Sequence, residues 1–226
     1  MSLQIIPFEN SINTAYIIKD QGAVLFDASY MGASKPFEKL LSTSGIEPDE
    51  IKLIIISHGD FDHAGGAKEL QELTGAKIVM HEKECKYLEK SMYRWPGGVT
   101  PWGKFSRTVF QPMVKSKVNF PPAKVDIPLG DEGLSLSDYG IQGKVIYTPG
   151  HTEGSISLVL DSGEAFIGCM AHNRFPFVLR PRLPIYAQDV EGIKKSWKLV
   201  IDQGAHTIYP GHGKAFPIEK IRKYLN

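Results

Sequence analysis

Two stretches of this chain, AYIIKDQGAVLFD at 15–27 and SISLVLDSGEAFIG at 155–168, place Asp-x-Gly between short apolar runs. A glycine beside a short polar residue accepts a left-handed turn, so each stretch reads as a β-hairpin. After the first hairpin the pattern predicts a helix around Pro36 to Leu41, a strand over Leu53 to Ile56, a helix near Ala67 to Leu73 and a strand over Lys77 to Met80. After the second it predicts a helix from about Asp189 to Gln203 and a strand over Thr207 to Tyr209. The second half therefore echoes the first. Hairpins mixed with βα units imply an α/β fold, a four-layer αββα sandwich of two mixed β-sheets flanked by helices. With 226 residues, 42% of them hydrophobic, the chain is long enough to bury such a core as a single domain over 1–226.

One segment, at about 91–124, breaks this rhythm with Pro, Gly and aromatic residues. It is expected to be an irregular insert: a lid or binding loop, a disordered stretch or a dimerising element. A second irregular stretch, NRFPFVLRPRLPIYAQ at 173–188, follows the second hairpin.

Lys and Arg number 26 against 25 Asp and Glu, a net charge of +1, so no global field favours nucleic acid or a membrane. The N-terminal stretch has no basic and apolar leader pattern, and the apolar run Leu53 to Ile56 is far short of the roughly 20 residues that span a bilayer. A cytoplasmic protein acting on a small-molecule substrate is expected, with homo-oligomers left open. Two cysteines, Cys85 and Cys169, are too few for a disulfide framework and are read as free thiols.

Directly after the apolar run comes ISHGDFDHAGG, with His58, Asp60, Asp62 and His63 within six positions. A tight loop can converge these groups, and each is a hard or borderline metal donor; a solvated turn with a capping Asp is the alternative. Three further donors lie near predicted strand ends: His151 in TPGHTEGS, Cys169 in FIGCMAH and His212 in YPGHG. Adjacent glycines let backbone approach closely there. A single such residue is ordinary, but four strand ends carrying them are hard to explain by packing.

The set SHGDFDHAGG, TPGHTEGS, FIGCMAH and IYPGHG, in this order, resembles the metallo-β-lactamase superfamily across essentially the whole chain. The resemblance implies the same sandwich with one or two Zn or Fe ions at the shared edge of the sheets. Carried over by position, His58, Asp60 and His151 would bind the first ion, and Asp62, His63 and His212 the second. Cys169 would serve the second ion or bridge both. The family's usual loop reads H-x-H-x-D-H and its usual residue at the position of Cys169 is Asp, so Asp60 and Cys169 are departures. Asp60 makes the first set harder and a Cys169 thiolate makes the second softer. Zn is favoured, with Fe the alternative, because a thiolate beside Fe invites oxidation.

The implied activity is a metal-dependent hydrolase, with a metal-bound hydroxide attacking an ester, thioester or lactone and Asp62 helping to orient it. The rivals are an iron-dependent redox protein handling oxygen, nitric oxide or sulfur species, and a non-catalytic metal-binding module. His172, in C-x-x-H with Cys169, is a substitute ligand or a supporting or surface residue. Asp27 either orients a ligating His or is a plain turn residue. His81 and His206 carry no motif, and Cys85 is expected to be structural. Arg174, Arg180 and Arg182 are candidates for an anionic substrate group or for surface charge. Tyr93 and Tyr186 are candidate proton donors or packing aromatics.

Overall fold

The computed structural model describes residues 3–10, 13–173 and 181–225. Among these, the first half supplies strands β1 (Gln4–Asn10), β2 (Asn13–Lys19), β3 (Ala23–Phe26), β4 (Ile51–Ile55), β5 (Lys77–His81) and β6 (Ile127–Leu129). The second half supplies β7 (Leu134–Ser135), β8 (Gly143–Tyr147), β9 (Ile156–Leu160), β10 (Glu164–Phe166), β11 (Thr207–Tyr209) and β12 (Phe216–Pro217). The helices are α1 (Ser34–Ser44), α2 (Phe61–Ala64), α3 (Ala67–Thr74), α4 (Glu82–Glu89), α5 (Pro101–Lys115), α6 (Val190–Asp202) and α7 (Glu219–Arg222). None of the described helices is long and apolar enough to cross a membrane.

The first six strands form one sheet in sequential order, and the last six form a second sheet in the order β12-β11-β10-β9-β8-β7. Both sheets are mixed. The expected hairpins are β2/β3, with Tyr16 opposite Phe26, and β9/β10, with Val159 opposite Ala165. Each hairpin continues into a parallel neighbour, β3 beside β4 and β10 beside β11.

The inner strands β2, β3 and β9 are buried on successive residues because both faces of each sheet are covered there. In β2, Ile17 packs in the cluster that includes Phe37, Leu41 and Leu70 of α1 and α3. Its neighbour Ile18 points the other way, into the cluster shared with Leu158 and Phe166 of the second sheet. Period-two alternation thus feeds two different cores. On the far side of the second sheet, Ile193, Trp197 and Val200 of α6 pack with Val159 and Ile208. Their i, i+4, i+7 spacing puts them on one helix face. The layers are therefore helix, sheet, sheet, helix.

The segment 91–124 is not irregular throughout, because it contains the fifteen-residue helix α5. Thr100 caps its N-terminus, the hydroxyl accepting from Gly103 N at 2.9 Å, and Pro101 sits where no backbone donor is needed. Pro112 lies in the last turn, where the break it causes ends the helix rather than kinking its middle. Cys85 and Cys169 are both free, as expected.

Candidate metal centre

The four motif segments meet at one rim of the sandwich. His58 follows β4, His151 lies in the turn between β8 and β9, Cys169 follows β10, and His212 follows β11. Asp60 is the N-cap position of the short helix α2, so Asp62 and His63 lie in its first turn. The Asp60 carbonyl accepts from His63 N and Ala64 N, both at 2.9 Å, which turns the chain back toward the sheet. Gly211 has a steric role: a Cβ there would lie 2.5 Å from His63 Cε1. Only a glycine lets the β11 loop come this close to the imidazole.

Two donor sets form, and Cys169 belongs to both. Donor atoms of His58, His151 and Cys169 lie within 4.8 Å of one another, and so do those of His63, Cys169 and His212. All these side chains are buried. Asp60 Oδ2 lies 3.3 Å from His151 Nε2 and 3.6 Å from His58 Nε2. Asp62 Oδ2 lies 3.4 Å from His212 Nε2 and 3.7 Å from His63 Nε2. Cys169 Sγ is 3.1 Å from His63 Nε2. The seven residues singled out in the sequence thus come together.

The imidazoles are held by their outer nitrogens. His63 Nδ1 donates to Asp27 Oδ2 at 2.7 Å, and His151 Nδ1 donates to the Tyr186 carbonyl at 3.0 Å. His58 Nδ1 pairs with Ser57 Oγ at 2.8 Å. Each partner fixes a ring so that Nε2 faces the centre, which is how histidine ligands are usually oriented. Asp27 therefore orients His63 and is not a plain turn residue. Its other oxygen accepts from Ser57 N at 2.8 Å, and its backbone is left-handed, at φ 63°.

The electrostatics suit a cation. Buried His58 Nε2 has no hydrogen-bond partner, although a buried polar atom left alone is costly. His63 and His212 point Nε2 atoms at each other across 3.4 Å, where two lone pairs repel unless a proton or cation intervenes. Burial and the neighbouring His63 charge push His58 down to about 4. Burial opposes charge on His63, yet the Cys169, Asp27 and Asp62 groups around it outweigh that and raise it well above the ordinary range. Burial pushes the Cys169 thiol up to about 12 despite the pull of His63. A divalent ion among these donors reverses that tendency, since a coordinating thiol is deprotonated. Buried imidazoles, carboxylates and a thiol converging from two sheets fit divalent metal ions.

Three residues, Arg94, Glu84 and Asn13, escaped the sequence reading. Arg94, in the segment 91–124, donates from Nε to Asp60 Oδ1 at 3.2 Å and from both terminal nitrogens to Glu84, Nη1 to Oε1 at 2.8 Å. Glu84 Oε2 in turn accepts from Gly59 N at 2.9 Å. Burial works against ionising Asp60, but His58, His151 and Arg94 hold its carboxyl well below the usual range. No spacing rule pairs residue 94 with residue 60. Asn13 was missed as well, and its amide donates to the Asp62 carbonyl, fixing α2 from β2.

The other candidates are divided between this rim, where His172 and Tyr186 line the same cavity, and positions away from it. His172 is buried rather than on the surface, with its ring edge-on to His212 at a centroid distance of 4.9 Å. His81 caps α4 and meets Asp131, while exposed His206 pairs with the Ser162 carbonyl. The Tyr186 hydroxyl is taken up by Ser106 at 2.7 Å, and Tyr93 stacks on Phe61. Arg182 bridges to His172 through backbone, and Arg174 and Arg180 lie outside the described residues. Above the donors is a cavity of about 150 Å³ walled by Phe61, Trp95, Pro96, Val114 and Tyr186.

The model of the metallo-beta-lactamase superfamily matches residues 8–212. The chain belongs to that superfamily. A probable metallo-hydrolase of Methanocaldococcus jannaschii is 27% identical over 207 residues, covering 89% of this chain and 88% of its own length. A hydroxyacylglutathione hydrolase of Pelagibacter ubique is 26% identical over 144 residues, 64% of this chain and 44% of that protein. Among solved structures, a metallo-beta-lactamase family protein of Thermus thermophilus superposes with a TM-score of 0.69 at 20% identity, over 99% of this chain and 78% of the other. The BLEG-1 B3 metallo-beta-lactamase superposes equally well, at 0.69 and 20% identity, over 97% of this chain and 95% of its own. These structural likenesses concern the fold.

Proposed function

We propose that this superfamily member is a two-metal hydrolase of esters, thioesters or lactones. One observation carries the reading: two buried donor sets converge on Cys169 at the mouth of a cavity with apolar walls. His58, Asp60 and His151 would hold one ion, Asp62, His63 and His212 the other, with Cys169 between them. Zn suits the thiolate and imidazole donors best. Such ions supply Lewis acidity toward a carbonyl oxygen and lower the pKa of water toward about 7.

The chain's own residues supply the rest. Asp62, at the cavity edge, is placed to accept a hydrogen bond from an attacking water and aim it. The Phe61, Trp95 and Val114 wall suits an apolar acyl portion and limits water around it. Arg94 is committed to Asp60 and Glu84, which argues against it as the receptor of a substrate anion. Similarity to a hydroxyacylglutathione hydrolase supports thioesters within this class. The family match over residues 8–212 supports reading the chain as one domain.

The test is elemental analysis of protein purified without added metal, together with rates on matched ester, thioester and lactone panels. Bound Zn with hydrolysis of at least one panel is expected. Predominant iron with a visible absorption band and no hydrolysis would replace this reading with the redox one.

A further inference from the structure

Helix α5 is turned the wrong way for a helix in water. It buries Gly103 and Ser106, while Phe105, Val109 and Met113 stand outward at 58%, 50% and 51% exposure. Their i, i+4, i+8 spacing makes one continuous apolar stripe. Trp102 extends it, with its ring 5.7 Å from that of Phe105. The inner edge is fixed, because the Ser106 hydroxyl pairs with Tyr186 OH at 2.7 Å. Rotating the helix to hide the stripe would break that contact.

Charge identifies what covers the stripe. Residues 90–124 hold seven of the chain's 26 Lys and Arg and none of its 25 Asp and Glu. Arg94 is consumed by Asp60 and Glu84, but Lys104, Lys115 and Lys117 are exposed on and just beyond α5. The near-zero net charge of the whole chain conceals this segregation. A twofold pairing of α5 with its copy would set these lysines against one another with no carboxylate in the segment to neutralise them. An anionic bilayer satisfies both features, taking the stripe at the acyl boundary and the lysines among headgroup phosphates.

We propose that α5 seats this protein on an anionic membrane surface through Phe105, Val109 and Met113. The other edge of the helix, at Val114, walls the cavity above the donor residues. Seating would bring that cavity beside the lipid, where substrates with long acyl portions partition. The proposal concerns where the protein works and does not depend on the reaction proposed for the metal centre.

Flotation of the full chain with two kinds of vesicle tests it: phosphatidylcholine alone, and phosphatidylcholine mixed with phosphatidylglycerol. The wild type is expected to float with the mixed vesicles only, and less as salt rises. The double variant F105E/M113E should lower the bound fraction about tenfold or more, and K104E/K115E should remove the preference for the anionic lipid. Both variants alter exposed residues, so an unchanged melting transition shows that each remains folded. Equal flotation of wild type and F105E/M113E, or no flotation of the wild type, would overturn the proposal. A concentration-dependent dimer that F105E/M113E abolishes, without vesicle binding, would overturn it in favour of a second copy of the chain.

Discussion

At position 60 an acid stands where the family's usual loop has a histidine, and the consequence is a charge that must be balanced. Arg94 supplies the balance, held by Glu84, which itself anchors Gly59 in the same loop. Breaking one member of such a buried network leaves the others uncompensated. Arg94→Met is therefore expected to weaken metal retention about tenfold or more, on the scale seen when residues supporting a ligand are lost. Adding Asp60→His to that variant should restore part of the retention, because a neutral imidazole needs no counter-cation although Glu84 still lacks one, while Asp60→His alone should remain poor because the guanidinium, still held by Glu84, then faces an imidazole in place of a carboxylate. Metal stoichiometry after dialysis against a weak chelator reads all three. Cys169 is tested in the same way. Cys169→Ser should retain less metal than Cys169→Asp, since a neutral hydroxyl cannot match an anion at Zn. Equal retention in wild type, Ser and Asp forms would remove Cys169 from the donor set. Cys85 offers a contrast in pH. Burial pushes its thiol up to about 11, so less thiolate is present at any lower pH. Alkylation of Cys85 should run at about a thousandth of its limiting rate at pH 8 and rise about tenfold per pH unit.

At the scale of elements, the hairpins and the donor loops were legible because each is local. Asp20-x-Gly22 and Asp161-x-Gly163 sit between apolar runs whose pairing follows from short connections, and β2/β3 and β9/β10 form as read. The site residues could be collected because each lies within a few positions of a strand end. What stayed hidden was long-range or marginal. β7 has two residues and β6 has three, too short for a periodic pattern, and they exist because neighbouring strands complete them. The helix α5 was hidden by its own chemistry: Pro, Gly and outward aromatics argue against a helix packed on a core, and its apolar face is not packed on one. The contacts of Arg94 with Asp60 and of Asn13 with Asp62 depend on which elements the fold brings together. Gly211 lies at such a juncture, between the β11 loop and α2. Gly211→Ala places a methyl against a His63 ring that Asp27 and packing hold still. The ring must move, so this variant is expected to keep its melting transition in the metal-free state but to bind less metal. Unchanged metal binding would show that the loop yields instead.

For the whole molecule, the donors lie at a rim to which both sheets contribute. His58, Asp60, Asp62 and His63 are carried by the first sheet, and His151, Cys169 and His212 by the second. Ions held by both groups would join the sheets across a seam otherwise closed by apolar packing and by contacts such as Thr14 N to the Gly211 carbonyl at 2.8 Å. A ligand that binds only the folded state adds about 2.7 kcal/mol at a free concentration one hundred times its dissociation constant. In a protein of this size each kcal/mol moves the melting temperature by about 2–4 °C. Chelation is therefore expected to lower the melting temperature by about 5–10 °C, and restored Zn should reverse it. His151→Ala, which removes a donor contributed by the second sheet, should shrink that difference and lower activity with it. His206→Ala, which removes an exposed histidine remote from the donors, should leave both unchanged. A chelator shift of the same size in wild type and His151→Ala would mean that His151 does not help the ions join the two sheets.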